Sequence, residues 1–461
     1  MAHRIVARLG AGLAMAAVLI GMAAVPASAS APRVTRWVDD NHGIGPGPAA
    51  CNTAAFTSIQ AAIDASGPWD RVYVCPGTYS EQLTLDVPGV LVRAMPYRMA
   101  TIQAPAVLAE PNGLAAIVTM TAVGAKLRGF HIDIDAGSLP AKTDPTPACA
   151  HVDIAVWAMA QRDRVRGNMI EVNGNETLSG SCGYDYGIVF GGSNATDRAA
   201  PSGLAALPPA TGRIAFDWVT DFKQGGILVQ GTGSSATLYR DTVRYLHVND
   251  GGFCRPVDTA CRPVATSSCV AASSNPAACG LAFGVAIEAG ASATVQRDAI
   301  YSGPNAGAPV AQSGSTPALQ YGVRLQNAAG GSRILDNVIT RTILGIDAEV
   351  DSPVRPATPT PTGAEIGGNA FEANDTGISI EDSGNDVHDN TAADGFNGID
   401  VLGTGGSGND IHSNDFRGNI ALDCNDGGPS GSETAGTSNT WTNDLGNNQQ
   451  PSGICIPDPR T

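Results

Sequence analysis

The stretch Gly377-Ile378-Ser379-Ile380 is one copy of a pattern in which a glycine precedes an aliphatic residue, a variable residue and an apolar residue. The pattern recurs along the chain as Gly187-Ile188-Val189-Phe190, Gly226-Ile227-Leu228-Val229, Gly284-Val285-Ala286-Ile287, Gly322-Val323-Arg324-Leu325, Gly345-Ile346-Asp347-Ala348, Gly398-Ile399-Asp400-Val401 and, degenerate, Asn419-Ile420-Ala421-Leu422. The last copies begin 23, 32, 21 and 21 residues apart. This period indicates one coil of a β-solenoid, with insertions in the longer intervals.

A second pattern lies out of phase with the first and places Asn or Asp at one position of each coil. Its copies contain Asn168, Asp217, Asp241, Asp298, Asn337, Asn369, Asn390 and Asn414. Asn and Asp tolerate left-handed backbone angles and bond their own neighbours, so they suit a bend between two strands. Stacked on successive coils, these side chains are predicted to form a hydrogen-bonded ladder.

The two patterns predict an all-β fold of stacked coils that share one core, because no coil can bury its apolar face alone. Helical periodicity is almost absent. The clearest helix candidate is Thr57 to Ala65, where Ile59, Ala62 and Ile63 fall on one face and Thr57 or Ser58 could cap the start.

Residues 56–64, Phe-Thr-Ser-Ile-Gln-Ala-Ala-Ile-Asp, precede the segment 70–81, which contains Pro76-Gly77-Thr78-Tyr79. Together they resemble the start of right-handed parallel β-helix proteins of the pectate-lyase-like superfamily, over residues 37–455. The resemblance implies an N-terminal capping helix, a first coil entered through Pro-Gly-Thr-Tyr, and binding or processing of polysaccharides. Residues 439–455 resemble the closing segment of secreted bacterial members, which we interpret as a cap over the last strand edge.

Residues 1–29 are predicted to be a cleaved signal peptide, which makes the protein secreted. Arg4 and Arg8 precede an uncharged, apolar stretch at 9–25, and Ala27-Ser28-Ala29 matches a signal-peptidase site. The alternative is a membrane anchor, but 17 residues are few for a span. Nothing later in the chain is apolar enough to cross a bilayer.

The mature chain is predicted to be one domain, residues 30–461, and a monomer. Within it we expect an N-terminal cap and lead-in at 30–85, coils at 86–423 and a C-terminal cap at 424–461. Loop insertions are expected near 199–212, 251–280 and 351–363. In a solenoid such insertions often wall a binding face, although neutral surface decoration is an equal alternative.

The net charge of the chain limits which binding partners we expect. Without residues 1–29 the chain has 25 basic and 43 acidic side chains, a net charge of −18. So acidic a surface repels phosphate backbones, and we expect no nucleic-acid partner. The balance is compatible with a polysaccharide or cell-wall glycan, with cations, or with solubility alone.

Ten cysteines in an exported chain are expected to be mostly oxidised. Their order suggests local pairs: Cys51–Cys75, Cys149–Cys182, Cys254–Cys261, Cys269–Cys279 and Cys424–Cys455. The alternative is a metal site built from the four cysteines of the 251–280 insertion, which lacks the close spacing that zinc sites favour.

Strand alternation predicts two columns of outward-facing, solvent-exposed side chains on successive coils. The first column is Val189, Leu228, Ala286, Arg324, Asp347, Ser379, Asp400 and Ala421; the second is Gly191, Gln230, Glu288, Gln326, Glu349, Glu381, Leu402 and Asp423. Coils stack about 4.8 Å apart and alternate residues on a strand lie about 6.8 Å apart. Five residues should therefore share one patch, which we call the Asp347 patch: Arg324, Asp347, Glu349, Glu381 and Asp400.

The Asp347 patch is a candidate catalytic site with Arg324, Asp347 and Asp400, and Glu288, Gln326, Glu349 and Glu381 are candidate substrate contacts. Two carboxyl groups one or two coils apart fit glycosidase spacing. Alternatively, Asp347, Glu349 and Glu381 could hold Ca²⁺, with Arg324 as the base of an elimination. The remaining alternative is a solvated acidic face with an Arg324–Asp347 surface pair. No cofactor is required beyond this optional Ca²⁺.

His388 and His412 recur one repeat apart and are predicted to form a stacked structural pair. The sequence lacks the catalytic motifs of polygalacturonases and pectin methylesterases, and it has no P-loop or hydrolase elbow. Two functions therefore remain open. One is a secreted β-helix that binds, and as a lyase or hydrolase cleaves, an extended polysaccharide; the other is a non-catalytic extracellular scaffold or carbohydrate-binding protein.

Overall fold

The computed structural model describes residues 32–40, 47–105, 114–134, 152–172, 184–191, 209–222, 225–245, 282–303, 319–349, 363–403 and 405–457. From Arg33 onward the chain forms one compact unit. The predicted signal peptide, the predicted insertion at 251–280 and residues 351–362 of another lie outside the described residues. So do six of the predicted disulfide cysteines: Cys149, Cys182, Cys254, Cys261, Cys269 and Cys279.

In the described ranges, thirty-five strands, numbered in chain order, form three sheets that we name A, B and C. Sheet A contains β1 (Thr35–Val38), β2 (Arg71–Val74), β5 (Leu91–Ala94), β8 (Lys126–Arg128), β11 (Asp163–Arg166), β14 (Thr211–Ala215), β17 (Ser235–Tyr239), β20 (Ser292–Gln296), β23 (Arg333–Leu335), β26 (Glu365–Gly367), β29 (Asp386–His388), β32 (Asp410–His412) and β34 (Thr440–Thr442).

Sheet B contains β3 (Gly77–Ser80), β6 (Ala100–Gln103), β9 (His131–Asp133), β12 (Met169–Glu171), β15 (Trp218–Thr220), β18 (Thr242–Tyr245), β21 (Ala299–Ser302), β24 (Val338–Thr340), β27 (Ala370–Glu372) and β30 (Thr391–Ala393). Sheet C contains β4 (Leu83–Leu85), β7 (Leu114–Met120), β10 (Val152–Ala158), β13 (Tyr184–Phe190), β16 (Gly225–Gln230), β19 (Phe283–Glu288), β22 (Leu319–Gln326), β25 (Thr342–Glu349), β28 (Thr376–Ile380), β31 (Asn397–Val401), β33 (Leu422–Asp426) and β35 (Gln449–Gln450).

Each coil visits the sheets in the order C, A, B, and its strands pair in parallel with those of the next coil. Alternate side chains point inward, and in the β22–β24 coil Val323, Leu325, Ile334 and Ile339 are fully buried. Their counterparts in the other coils join them in one continuous hydrophobic core. The predicted shared core of stacked coils is therefore confirmed.

The glycine of the repeat lies where neighbouring backbones come closest. A methyl group added at Gly322 would lie 2.5 Å from the carbonyl oxygen of Gly345, the equivalent residue one coil on. The same clash with the next coil recurs at Gly187, Gly226, Gly284, Gly345 and Gly377. The first residue of the pattern is glycine because a side chain there would push two coils apart.

The predicted Asn/Asp ladder is present. The backbone N–H of each member donates to Oδ1 of the member one coil on, with N–O distances of 2.7 to 3.0 Å from Asn168 through Asn414. Asp444 accepts the last of these bonds and adds a ninth rung. A second ladder of Asn385, Asn409 and Asn439, at the bend between sheets C and A, was not predicted.

The one α-helix among the described residues, α1, spans Ile59–Asp64 inside the predicted 57–65 segment. Ser58 caps it by accepting from the Ala61 N–H at 3.2 Å. The Glu81 carboxylate also accepts from the backbone N–H groups of Ile59 and Gln60, which otherwise lack partners at a helix start. Short 3-10 turns occupy Ala49–Thr53 and Thr434–Gly436. Among the described helices, none is long and apolar enough to cross a membrane.

Two of the predicted disulfides lie in the described residues, Cys51–Cys75 and Cys424–Cys455, and both are present. The His388 and His412 rings also stack as predicted, with centroids 5.4 Å apart and an interplanar angle of 11°.

Three predicted boundaries differ from the structure. The insertion placed at 199–212 overruns the core, because β14 begins at Thr211. The segment 424–461, predicted to be a cap, adds β34 to sheet A and β35 to sheet C. The last repeat copy was placed too early: Ile399 pairs with Cys424 and Asp400 with Asn425, whereas Ile420 is 61% exposed. Ala421 and Asp423 therefore do not belong to the outward columns.

Candidate functional site

The register of sheet C brings the first predicted column together. Leu228 pairs with Ala286, Ala286 with Arg324, and Arg324 with Asp347. Asp347 then pairs with Ser379, and Ser379 with Asp400. In the second column Glu288 pairs with Gln326 and Gln326 with Glu349. Arg324, Asp347 and Glu349 thus lie on adjacent strands, with Asp400 two strands beyond Asp347.

Several side chains of the outward columns are buried, and for these residues the predicted solvent exposure is wrong. Asp347 is 3% exposed, Ser379 3%, Glu288 6% and Asp400 9%. Glu349 and Gln326 are half-buried, and Glu381 is exposed at the edge of the patch. Alternation along a strand determines whether a side chain points toward the core, but it does not determine what covers the outer face.

Most of the outer face of sheet C before the patch is a second apolar cluster. Its buried members are Ala116, Ile154, Trp157, Tyr186, Val189, Leu228, Phe283, Ala286 and Tyr321. Tyr186 and Phe283 lie two coils apart, each in register with Gly225 on the coil between them, and their ring centroids are 6.1 Å apart. The sequence signal for this cluster is an aromatic residue three positions before the variable residue in several copies, a position that lies outside the two predicted columns. The patch therefore begins where the outer face changes from apolar to charged.

Arg324 is the cation at the centre of the patch. Its Nε donates to Glu349 Oε1 at 2.8 Å, a second nitrogen of the guanidinium bonds the same oxygen, and Glu288 lies 3.6 Å away. The guanidinium also lies 4.9 Å from the ring centroid of Tyr321. Burial lowers the pKa of Arg324, but Glu349 and Glu288 outweigh burial and the net shift is upward. The alternative of an Arg324–Asp347 surface pair is not seen, because Arg324 forms a partly buried pair with Glu349.

Asp347 is a carboxyl group that keeps its proton near neutral pH. Burial, together with the negative charge of Glu349, raises the pKa of Asp347 to about 8, against the opposing effects of Arg324 and a hydrogen bond with Ser379. Burial and Glu349 also raise the pKa of Glu381. Two carboxyl groups with raised pKa values, Asp347 and Glu381, thus lie close to the Arg324–Glu349 pair.

Asp400 lies two coils from Asp347, about 9.6 Å by the spacing of parallel strands. Its Oδ2 accepts from Asn397 Nδ2 at 2.9 Å, while burial raises the pKa of its carboxyl. Asn425 also forms a hydrogen bond with the Asp400 side chain, and Asn397 Oδ1 is buried with no hydrogen-bond partner among the described residues.

The calcium prediction stays a prediction. Across the described ranges, no three acidic, histidine or cysteine side chains are grouped so as to hold a metal ion. Glu349 is engaged by Arg324, and Asp347 retains a proton that a Ca²⁺ ligand would have to lose.

No protein-family model and no curated protein matches the sequence. Among solved structures, the Dettilon tailspike protein is similar at a TM-score of 0.52 and 14% identity, over 87% of this chain and 63% of that one. This chain thus spans less than two thirds of the tailspike. Pectate lyase Pel9A (TM-score 0.37, 10% identity, 76% of each chain) and a mannuronic acid specific polysaccharide family 6 lyase from human gut microbiota (0.42, 12%, 87% and 78%) match more weakly. With three all-parallel sheets, this chain has the right-handed parallel β-helix fold.

Proposed function

We propose that this protein is secreted and binds an extended polysaccharide along the outer face of sheet C, hydrolysing it at the Asp347 patch. The observation that carries the proposal is the state of the carboxyl groups there. Burial raises the pKa of Asp347 to about 8, and the guanidinium of Arg324 bonds Glu349 on the same strand. A buried carboxyl group with a raised pKa beside a cationic side chain is a candidate general acid.

In this proposal Asp347 donates the proton to the leaving oxygen of a glycosidic bond. Asp400 activates the attacking water, and Asn397 holds its carboxylate in place. Their separation of about 9.6 Å lies near the upper end of the spacing in inverting glycosidases, which need room for that water. Arg324 and Glu349 position the substrate and keep the local charge balanced.

Hydrolysis is better supported than elimination. Elimination needs a base that removes the proton next to a uronate carboxylate, and Arg324 was the predicted base. Because Glu349 and Glu288 raise its pKa, Arg324 remains a cation and is poorly suited to accept a proton. Arg324 can still bind a carboxylate or hydroxyl of a glycan.

The test is a product assay on polygalacturonate, alginate and neutral glycans, with Ca²⁺ and with a chelator. We expect new reducing ends without unsaturated products. Asp347→Asn should lower the rate by about 10²- to 10⁴-fold, as expected for loss of a general acid. Glu372→Gln, at an exposed acid of sheet B, is the matched control and should keep full activity.

Three outcomes decide between the candidates. Unsaturated products that require Ca²⁺ would indicate a lyase, and absence of any product across the panel would exclude catalysis on those substrates. A fall in the melting temperature of Asp347→Asn, together with lost activity, would identify Asp347 as structural. We expect no such fall, because an amide avoids the cost of ionising a buried carboxyl group.

A second candidate is a non-catalytic carbohydrate-binding protein or scaffold. The burial of Asp347 and Asp400, at 3% and 9% exposure, favours it, because a glycan needs access to both groups for cleavage. Equilibrium binding to an intact glycan without product formation would support this candidate.

A further inference from the structure

The outer face of sheet A carries two columns of basic side chains in its N-terminal half. One register column runs Arg71, Leu91, Lys126, Arg164 and Arg213; the other runs Tyr73, Arg93, Arg128, Arg166 and Ala215. We call the seven cations of these columns the sheet A strip. It spans the five strands β2, β5, β8, β11 and β14 and four inter-strand spacings, about 19 Å.

The sheet A strip has no acidic partners among the described residues. None of its seven cations forms a salt bridge there, and every outward position of its five strands is free of Asp and Glu. Farther along the same sheet the pattern is different, since Arg333 pairs with Glu365 at 2.6 Å. Like charges on adjacent strands destabilise a sheet, so this arrangement is costly when nothing anionic is bound.

Burial and the crowding of like charges lower the pKa of two of these cations. Burial, followed by the charges of Arg164, Arg33 and Arg71, lowers the pKa of Lys126. Burial, followed by Arg93 and Arg166, lowers the pKa of Arg128. The Nε atoms of Arg93 and Arg128 are buried and lack hydrogen-bond partners among the described residues. These groups would gain from an anion that supplied both charge and acceptors.

Exposed aromatic rings border the strip at both ends of its strands. Trp69, 50% exposed, lies against Gly89, with the Lys126 ammonium 5.4 Å from its ring centroid. Tyr97, 44% exposed, lies across Gly129 and Gly167 on the next two coils. Side chains at those glycines would displace the Tyr97 ring. Large rings left half in solvent, held flat on glycines, offer apolar faces to a ligand.

We infer that the sheet A strip binds a single chain of a linear anionic polysaccharide, lying along the stacking direction of the coils. The cations bind its carboxylates or sulfates, and Trp69 and Tyr97 contact the faces of its sugar rings. The strip is two side chains wide, about 6.8 Å between columns, so a single narrow polymer chain fits it. This surface lies on a different sheet from the Asp347 patch and does not depend on the function proposed there.

A nucleic-acid duplex fits less well. Its major groove alone is about 12 Å wide, so a duplex would extend beyond the strip onto neighbouring surfaces. Those surfaces include Asp133 and Glu171 on sheet B of the same coils, in a mature chain of net charge −18. Acidic surroundings repel the dense phosphate charge of a duplex.

The experiment measures the affinity of the full mature chain for alginate and polygalacturonate oligosaccharides, dextran sulfate, neutral dextran and oligo-dT. The strip variant combines Lys126→Gln, Arg128→Gln and Arg164→Gln. We expect it to lose about tenfold or more in affinity for the anionic glycans, and we expect the affinity of the unsubstituted protein to fall with added salt. A preference for carboxylated or sulfated glycans identifies the anion.

The matched control removes the same charge from paired cations, as Arg297→Gln, Arg333→Gln and Arg417→Gln, whose partners are Asp336, Glu365 and Asp415. It should retain the affinity of the unsubstituted protein. The strip variant should have an unchanged or higher melting temperature, because it relieves repulsion. Equal losses in both variants, an equal loss of neutral dextran affinity in the strip variant, or tighter binding of oligo-dT would overturn the proposal. None of these outcomes depends on catalysis at the Asp347 patch.

Discussion

At the scale of single residues, the equivalent positions of the ladder hold either an asparagine or an aspartate. Asn337 both accepts and donates: its Nδ2 bonds Asn369 Oδ1 at 2.9 Å and the Val295 carbonyl at 3.0 Å. Asp217, Asp241 and Asp298 occupy equivalent positions on three successive rungs, where a carboxylate can only accept. Burial raises the pKa of each of these three carboxyl groups.

We predict that Asp298→Asn stabilises the protein, and more so at about pH 8 than at about pH 5. Burial raises the pKa of Asp298 to about 8, whereas in the unfolded chain it is about 3.9. Between these values the folded state binds the proton and the unfolded state does not, so stability falls as the pH rises. An amide side chain at this position does not titrate, so it causes no loss of stability as the pH rises. Chemical denaturation at both pH values measures the difference.

The matched control for this prediction is Asn337→Asp, which extends the run of three successive ladder carboxyl groups to four by adding one next to Asp298. It should destabilise the protein, with a loss that grows toward alkaline pH. If neither variant changed the pH dependence of unfolding, the ladder carboxyl groups would not titrate differently in the two states.

At the scale of the repeated element, the glycine of the pattern sets how closely the coils stack. We predict that Gly322→Ala lowers the free energy of unfolding by about 1–3 kcal/mol, the usual cost of overpacking. The added methyl group would meet the Gly345 carbonyl oxygen at 2.5 Å, and backbone cannot give way cheaply.

Gly67→Ala is the control for that substitution. A methyl group there would have Asp70 Oδ2 as its nearest neighbour, at 3.6 Å, an ordinary contact. Urea titration should show little change for Gly67→Ala. Similar stability of the two variants would contradict the role assigned to the repeat glycine.

At the scale of the whole molecule, stability depends on the two ends. A solenoid frays from its terminal coils, because each of them has only one neighbour. Cys51–Cys75 and Cys424–Cys455 lie at opposite ends and close segments of 24 and 31 residues. We predict that replacing Cys424 and Cys455 by serine lowers stability by about 3–4 kcal/mol, mainly through the unfolded state. Calorimetry measures the loss.

Hydrogen exchange locates that loss along the chain. Amides of β33 and β35 should exchange faster in the Cys424/Cys455 serine variant, while those of β16 and β19 stay protected. Uniform acceleration through all coils would show that the helix unfolds as one cooperative unit instead.

The sequence by itself determined the solenoid, its period, eight rungs of the ladder, the capping helix and the register of Arg324, Asp347 and Asp400. These follow from local rules, since strand alternation and bend chemistry repeat in every coil. The predicted register is wrong for the last copy, placed at 419–422. The residue that pairs with Ile399 is Cys424, which is not aliphatic and so does not match the pattern.

Only the tertiary structure decided which outward side chains are covered and which charges are paired. Composition gives the full chain a net charge of −16 and predicts an acidic surface, yet stacking brings seven cations together on sheet A. Successive cations of one column are 35 to 55 residues apart in sequence and carry no shared motif, because only one or two side chains per coil contribute. Burial of Asp347, and hence its retained proton, likewise depends on contacts that no single coil contains.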